Sequence, residues 1–365
     1  MKKITFFISS LSGGGAEAVC VNLANGLVCN GWQIDLVILN IHNEKYLKLL
    51  SSKVNLIVLN VDHARFSPIP LLKYIQKQKP EKILTFNYEL TVLVVILRSL
   101  FRFPTKIIAR NINTLSKKRQ QYNGWWNKFI VKPLIDHFYC KADHIINQCQ
   151  AMRDDLLTVF PQLKDQTSVI YNPVAKQVEE YNNEDCISPT IKQDYLLCIG
   201  RLEKQKAFHF AIQAFAELVK VHPKLRLKII GQGSLENSLR QLTIKLKIEN
   251  SVDFEGFQEN VIPYYLGARA TLLTSIHEGF PNVLIESISL GTAVVAFDCP
   301  SGPNEIIEEG KNGYLVEYMS IDSLIKSCNR ILDNDINSKL IISTAQKYNS
   351  RSIIEQYSNI LSSLN

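Results

Sequence analysis

Two glutamates, Glu278 and Glu286, bracket the run Gly279-Phe280-Pro281-Asn282-Val283-Leu284-Ile285. Upstream, Ala270-Thr-Leu-Leu-Thr-Ser275 reads as a buried strand, and the apolar residues after Pro281 read as a helix. The segment is therefore strand, turn, helix, with Glu278 at the mouth of the turn. Pro281 falls near the first helical turn, where its missing N–H costs nothing. Free backbone N–H groups at such a helix start attract a phosphate. Glu286, a turn or so further along, could accept hydrogen bonds from ribose hydroxyls. Two carboxylates around an anion-binding helix start suit a nucleotide-sugar better than a bare nucleotide. The alternative is a helix cap with two solvated acids.

A second group of residues has matching chemistry. Gly200-Arg201-Leu-Glu-Lys-Gln-Lys206 follows a strand-like run, so Arg201 and Lys206 leave its carboxyl end on one loop. Arg offers a planar fork and Lys a point charge, an arrangement that could grip a diphosphate from two sides. The alternative is a loop whose cations face water, and Lys204 fits that description best of the three. Gly231 and Gly256 close the next two strands and leave small residues where a base could lie. Asp298-Cys-Pro-Ser-Gly-Pro-Asn-Glu305 follows a further strand and carries Glu305 toward the same place. Near the start, Ser12-Gly13-Gly14-Gly15-Ala16-Glu17 lets backbone N–H groups approach an anion closely, or makes a tight turn with no ligand. It is not G-x-G-x-x-G, and no acid closes the second strand, which disfavours a nicotinamide cofactor.

The elements that must position these residues alternate along the chain. Strand patterns cover Ile4–Ser9, Gln33–Leu39, Asn55–Leu59, Lys82–Phe86, Lys106–Arg110, His144–Asn147 and Ser168–Tyr171, with helical patterns between them. A polar stretch from Val174 to Lys192 reads as a linker. The alternation then resumes at Tyr195–Ile199, Leu225–Ile230, Val252–Glu255, Ala270–Ser275 and Ala293–Phe297. Such alternation implies parallel sheets covered on both faces. The expectation is an α/β chain of two Rossmann-like domains with parallel sheets facing a cleft. Residues 1–175 form the first and 190–345 the nucleotide-sugar-binding second, while a helix over 346–365 packs back on the first. Ligands of such sheets sit beyond the carboxyl ends of the strands.

Composition bounds the rest. A chain of 365 residues is too long for one ordinary core. Residues 1–175 carry 22 Lys/Arg against 11 Asp/Glu, so the front half should meet something anionic. Eight cysteines without C-x-x-C or zinc-like spacing point to buried reduced thiols in a cytosolic protein. The apolar start is too short for a signal peptide and reads as the first strand, and no apolar run is long enough to span a bilayer. Lys117 to Lys132 mixes clustered cations with Trp125, Trp126 and Phe129. It reads as a contact with an anionic membrane surface or as core aromatics on a helix with a wet basic face. Nucleic acid would suit a basic aromatic patch too, but no nucleic-acid-binding motif accompanies it.

Taken together, these motifs resemble the retaining glycosyltransferases of family four, which have the GT-B fold. The resemblance covers essentially the whole chain. It is carried by Glu278 and Glu286 as an E-x7-E pair, Gly200-Arg201 with Lys206, Gly13-Gly-Gly-Ala-Glu17, Ala142-Asp-His-Ile-Ile146 and Ile170-Tyr-Asn-Pro-Val174. Cys299-Pro-Ser-Gly-Pro-Asn-Glu305 is similar to bacterial members that build O-antigen, capsule or other lipid-linked glycans. The resemblance implies Arg201 and Lys206 on the donor diphosphate, Glu278 near the sugar hydroxyls and Glu286 on the ribose. It also implies backbone contacts from Gly279, Phe280, Pro281, Asn282 and Val283, with Gly14 and Gly15 against the diphosphate. No metal or other cofactor is implied, and the absence of D-x-D agrees. Many members carry a histidine near the donor sugar; here Ala109-Arg110-Asn111 stands in its place, so Arg110 or Asn111 takes that role or it lies elsewhere.

The implied activity moves a sugar from a nucleotide-diphosphate donor to a glycan or polyprenyl-diphosphate-linked acceptor with retention, in cell-surface polysaccharide synthesis. UDP is the favoured nucleotide, with GDP second, and a hexose or N-acetylhexosamine the expected sugar. The expected location is cytoplasmic, peripheral on the inner face of the plasma membrane. Two rival readings are a sugar-nucleotide epimerase of the same architecture and a non-catalytic two-lobed sugar-binding protein. The latter has no use for paired Arg201 and Lys206 on a neutral sugar.

Overall fold

The computed structural model describes residues 2–41, 45–116, 119, 124–125, 127–183 and 192–364. The chain divides into two compact units, Met1–Ala175 with Ser350–Asn365, and Lys176–Asn349. Each is built on one parallel sheet, and each is described here by itself.

In the first unit, β1 (Lys3–Ile8), β2 (Gln33–Ile38), β3 (Asn55–Val58), β4 (Lys82–Thr85), β5 (Lys106–Arg110), β6 (His144–Asn147) and β7 (Thr167–Val169) pair in the order β3-β2-β1-β4-β5-β6-β7. Five of the six residues of β1 are buried, as a strand covered on both faces requires. One face packs against the helices Gly15–Cys29 and Ser350–Ser363. The other packs against Pro68–Gln78, Tyr88–Phe101 and Lys132–Phe138. Ile353, Tyr357 and Leu361, four residues apart on the helix Ser350–Ser363, are fully buried in the first core. Gly26 admits that helix: a Cβ there would lie 2.0 Å from Ile354 Cδ1. Trp32 Nε1 donates to Ser358 Oγ at 3.0 Å across the same contact.

In the second unit, β8 (Tyr195–Ile199), β9 (Arg226–Ile230), β10 (Val252–Gly256), β11 (Ala270–Leu273), β12 (Ala293–Phe297) and β13 (Gly313–Val316) pair in the order β10-β9-β8-β11-β12-β13. All registered pairs are parallel. Both sheets are doubly wound, and the order reverses between β1 and β4 in one and between β8 and β11 in the other. Loops at such a reversal diverge to opposite faces and leave a crevice at the carboxyl edge.

The expected α/β architecture holds, with three local differences. The edge strand Gly313–Val316 has no strand pattern of its own, because its short run Gly-Tyr-Leu-Val follows a Gly310-Lys-Asn turn rather than a helix. The strand expected over Ala270–Ser275 ends at Leu273, because Thr274 turns out to bond Lys206 O at 3.1 Å and Ser275 turns toward Glu278. Of the linker expected over Val174–Lys192, Lys176–Asn183 is a helix docked on the second unit through Asn182 Nδ2 and Ser289 O at 2.8 Å. Its residues 184–191 lie outside the described residues, as do Lys117, Lys118 and Trp126 of the basic aromatic segment. Among the described residues no helix is long and apolar enough to cross a membrane.

Candidate active site

The reversal between β8 and β11 gathers the second unit's chemistry. The loop after β8 carries Gly200 to Lys206, and the loop after β11 carries Ser275 to Pro281. The two loops are stitched together: Ile276 N donates to Gln205 O at 2.8 Å, and Gln205 Nε2 donates to His277 O at 2.9 Å. Tyr318 adds a hydroxyl to Ile276 O at 2.8 Å. On the other side Leu202 N bonds Gln232 O and Leu235 N bonds Leu202 O, both at 2.9 Å. Gly231 makes this closeness possible, since a Cβ there would stand 1.9 Å from Gly200 O.

At the centre Lys206 Nζ lies 2.7 Å from Glu278 Oε1, with both side chains largely buried. Ser275 Oγ donates to the same oxygen at 2.6 Å. The Lys206 stem runs past Gly200, whose missing side chain leaves room for it. Arg201 sits on the same loop, exposed, where its charge adds to the Ser234 hydrogen bonds that hold the Glu203 carboxyl below its usual range. A buried, compensated cation and a solvent-facing one therefore leave one loop together, an arrangement that can take a diphosphate.

The turn Gly279 to Pro281 is held from below. Phe280 is buried against Tyr348 with ring centroids 5.8 Å apart, so it offers a ligand its backbone only. Ser301 Oγ donates to Gly279 O at 2.8 Å, and Gly302 leaves room for Pro281 Cδ. The helix Asn282–Ser289 begins directly after Pro281, with Asn282 and Val283 partly exposed. One turn in, Glu286 accepts a hydrogen bond from the buried Tyr265 hydroxyl at 2.9 Å. Burial pushes the Glu286 carboxyl up to about 7, while the bond from Tyr265 pulls the other way. Gly256 closes β10 with open space around it. Glu305 is partly exposed on the short helix Pro303–Ile306, its carbonyl accepting from Tyr348 at 3.2 Å.

In the first unit, Gly14 and Gly15 stand at the carboxyl end of β1 where the helix Gly15–Cys29 begins. Beside them Asn87 Nδ2, at the start of the helix after β4, donates to Ser9 Oγ at 3.3 Å. Arg110 and Asn111 behave differently from an open subsite. Arg110 is 1% exposed; its guanidinium donates to Tyr357 Oη at 2.9 Å and to Asn172 Oδ1, and lies over Phe86. Asn111 bonds Asn147 and Tyr139 inside the same unit. Both side chains are engaged in the domain's interior.

Two family models divide the chain between them: Glycosyltransferase Family 4 over residues 13–177 and Glycosyl transferases group 1 over 187–348. The chain belongs to the family 4 glycosyltransferases. Among the relatives of this glycosyltransferase is a Campylobacter jejuni N-acetylgalactosaminyltransferase acting on N-acetylgalactosamine-N,N'-diacetylbacillosaminyl-diphospho-undecaprenol. It is 28% identical over 92% of this chain and 91% of its own. The amylovoran biosynthesis glycosyltransferase AmsD of Erwinia amylovora is 24% identical over 99% of this chain and its full length. The structure of Anabaena HepE in complex with UDP-glucose superposes with a TM-score of 0.77, covering all of both chains at 22% identity. The glycosyltransferase thus shares the GT-B fold, and transfer is supported over the epimerase and sugar-binding readings.

The site residues legible in the sequence of this glycosyltransferase omit three groups. Ser275 was hidden in the end of an apolar strand pattern. Gln205 is an uncharged residue between Lys204 and Lys206, with no pattern of its own. Tyr265 lies 21 positions before its partner Glu286 on a separate helix, Ile262–Gly267, and no local pattern links the two.

Proposed function

We propose that this glycosyltransferase moves a hexose or N-acetylhexosamine from a UDP-sugar to a lipid-linked glycan acceptor with retention of anomeric configuration. The observation that carries the reading is the Lys206–Glu278 pair, 2.7 Å apart and largely buried, with the exposed Arg201 on the same loop at the reversal of the second sheet. The relatives support the substrate class: one acts on a diphospho-undecaprenol glycan, and HepE is seen with UDP-glucose.

In this reading Arg201 and Lys206 take the diphosphate, where negative charge grows as the glycosidic bond breaks. Lys206 then shares its charge between phosphate and Glu278, and the Glu278 carboxylate accepts hydrogen bonds from the sugar hydroxyls. Ser275 keeps Glu278 in place while Lys206 turns. Glu286 binds the ribose. The acceptor hydroxyl attacks the anomeric carbon from the face that the UDP leaves. The new C–O bond takes the acceptor oxygen's electron pair, the old C–O pair departs with the β-phosphate, and that phosphate oxygen accepts the hydroxyl's proton. In the first unit, Gly14 and Gly15 stand at the carboxyl end of β1, where a helix start can take an anion. The protein works in the cytoplasm, peripheral on the inner face of the plasma membrane. There Trp125 and Phe129, exposed and 5.9 Å apart, and Lys128 meet anionic lipid.

The test is thermal stability against UDP, GDP, ADP and CDP. Binding to the native state raises the melting temperature by mass action. A shift with UDP that disappears in Arg201→Ala is the expected result. A shift with another diphosphate alone overturns the choice of base, and none with any of the four overturns the site.

A further inference from the structure

Tyr265 is a site neighbour that no motif explains, and its geometry is specific. Its side chain is fully buried on the helix Ile262–Gly267, and its backbone carbonyl is pinned by Thr292 Oγ1 at 2.6 Å. Its hydroxyl reaches Glu286 Oε2 at 2.9 Å. Burial raises the phenol well above its ordinary value, so it keeps its proton and always donates. The other Glu286 oxygen, Oε1, has no partner among the described residues, and the Glu286 side chain is partly exposed. A carboxylate on a flexible stem has many rotamers. One held by a rigid, buried donor has few, and its remaining oxygen points one way.

We propose that Tyr265 is a positioning residue: its hydroxyl fixes the Glu286 carboxylate so that Oε1 meets the ribose hydroxyls of the nucleoside diphosphate. The inference rests on the placement of ribose at Glu286 in the proposed function. Tyr265 thereby sets the enzyme's preference for a ribonucleotide without touching it. A buried hydroxyl that merely needed an acceptor would leave that preference alone.

The experiment titrates UDP and 2′-deoxy-UDP calorimetrically into the full chain, its Tyr265→Phe and Glu286→Ala variants, and the double variant. The ratio of the two affinities is taken on one sample, so a change in folded fraction cancels. The wild type is expected to prefer UDP by about tenfold or more, the scale of a lost hydrogen bond to a charged group. Tyr265→Phe is expected to weaken UDP by about tenfold and bring the ratio toward one. The double variant is expected to bind no worse than Glu286→Ala, since one residue acts through the other. A Tyr265→Phe variant that keeps the wild-type ratio while Glu286→Ala loses it overturns the positioning role and leaves the ribose reading standing. Additive losses in the double variant overturn the positioning role as well. A Glu286→Ala variant that keeps the ratio, or a wild type that ignores UDP, overturns the ribose reading itself.

Discussion

Lys206 Nζ and Glu278 Oε1 stand 2.7 Å apart at the crevice between the loops of β8 and β11, each with its side chain mostly out of water. Neither charge is tolerable there alone, so the pair is a structural element, and in the proposed function it is a pair of reagents as well. Removing the carboxylate leaves a buried ammonium without its counterion. Glu278→Ala is expected to lower stability by about 3 kcal/mol and transfer by about 10²-fold or more. Urea unfolding and turnover of a UDP-sugar check the two effects separately. Glu278→Gln keeps an acceptor for Ser275 and loses less stability than the alanine variant, with transfer still impaired.

Arg201 is the opposite case. It is exposed, and the charge it acts on is the neighbouring Glu203 of its own loop, so its removal disturbs little of the folded chain. Arg201→Ala is expected to leave the urea midpoint within about 0.5 kcal/mol of the wild type. The same variant is expected to weaken UDP by about tenfold or more, through loss of a charge-assisted contact to phosphate. Calorimetric titration measures the affinity.

Glu286 gives a pH dependence. In the proposed function its carboxyl, raised to about 7 by burial, is ionised when it accepts the ribose hydroxyls. UDP affinity is therefore expected to fall as pH drops below about 7, and Glu286→Gln is expected to flatten that limb. Stability has the reverse sign. The folded chain holds this proton more tightly than the unfolded chain, whose carboxyl titrates at its ordinary 4.5. The stabilising contribution is present below about 4.5 and is lost as pH rises through about 7. Affinity titrations and urea midpoints across this range check both signs.

Trp125 and Phe129 are 68% and 55% exposed, with Lys128 Nζ 5.6 Å from the centre of the Phe129 ring. Sedimentation with vesicles containing anionic lipid is expected to fall several-fold in the Trp125→Ser, Phe129→Ser variant. It is expected to weaken with added salt. Binding that ignores both changes removes this segment from the membrane.

Gly231 tests the scaffold beneath the site. A Cβ on it would stand 1.9 Å from Gly200 O, so Gly231→Ala forces the loop of Arg201 and Lys206 away from its neighbour. A stability loss of about 1–3 kcal/mol with weakened UDP binding is expected, read by thermal melts with and without UDP.

Much of this was legible because the signals are local. Strands buried on both faces, such as Ala293–Phe297, are unbroken apolar runs, and the loops after them carry the charges. That Arg201, Lys206 and Glu278 end near one crevice follows from parallel strands whose carboxyl ends share an edge. Pairings across the sequence were not legible. Nothing in the residues around Tyr265 signals Glu286, and nothing around Arg110 signals that Tyr357 and Asn172 will enclose it. The edge strand Gly313–Val316 was missed because four residues with a glycine first carry little pattern.

The helix Ser350–Ser363 closes the core of the first unit, although the entire second unit lies between them in the chain. During synthesis the first sheet emerges with the face of Gly26 and Trp32 uncovered. It stays so until about 175 further residues have been made, roughly ten to thirty-five seconds at ordinary elongation rates. A fragment ending at residue 175 would keep that apolar face permanently bare. The first unit is thus discontinuous in the gene, and attempts to express or swap it as a front half should carry residues 350–365 with it.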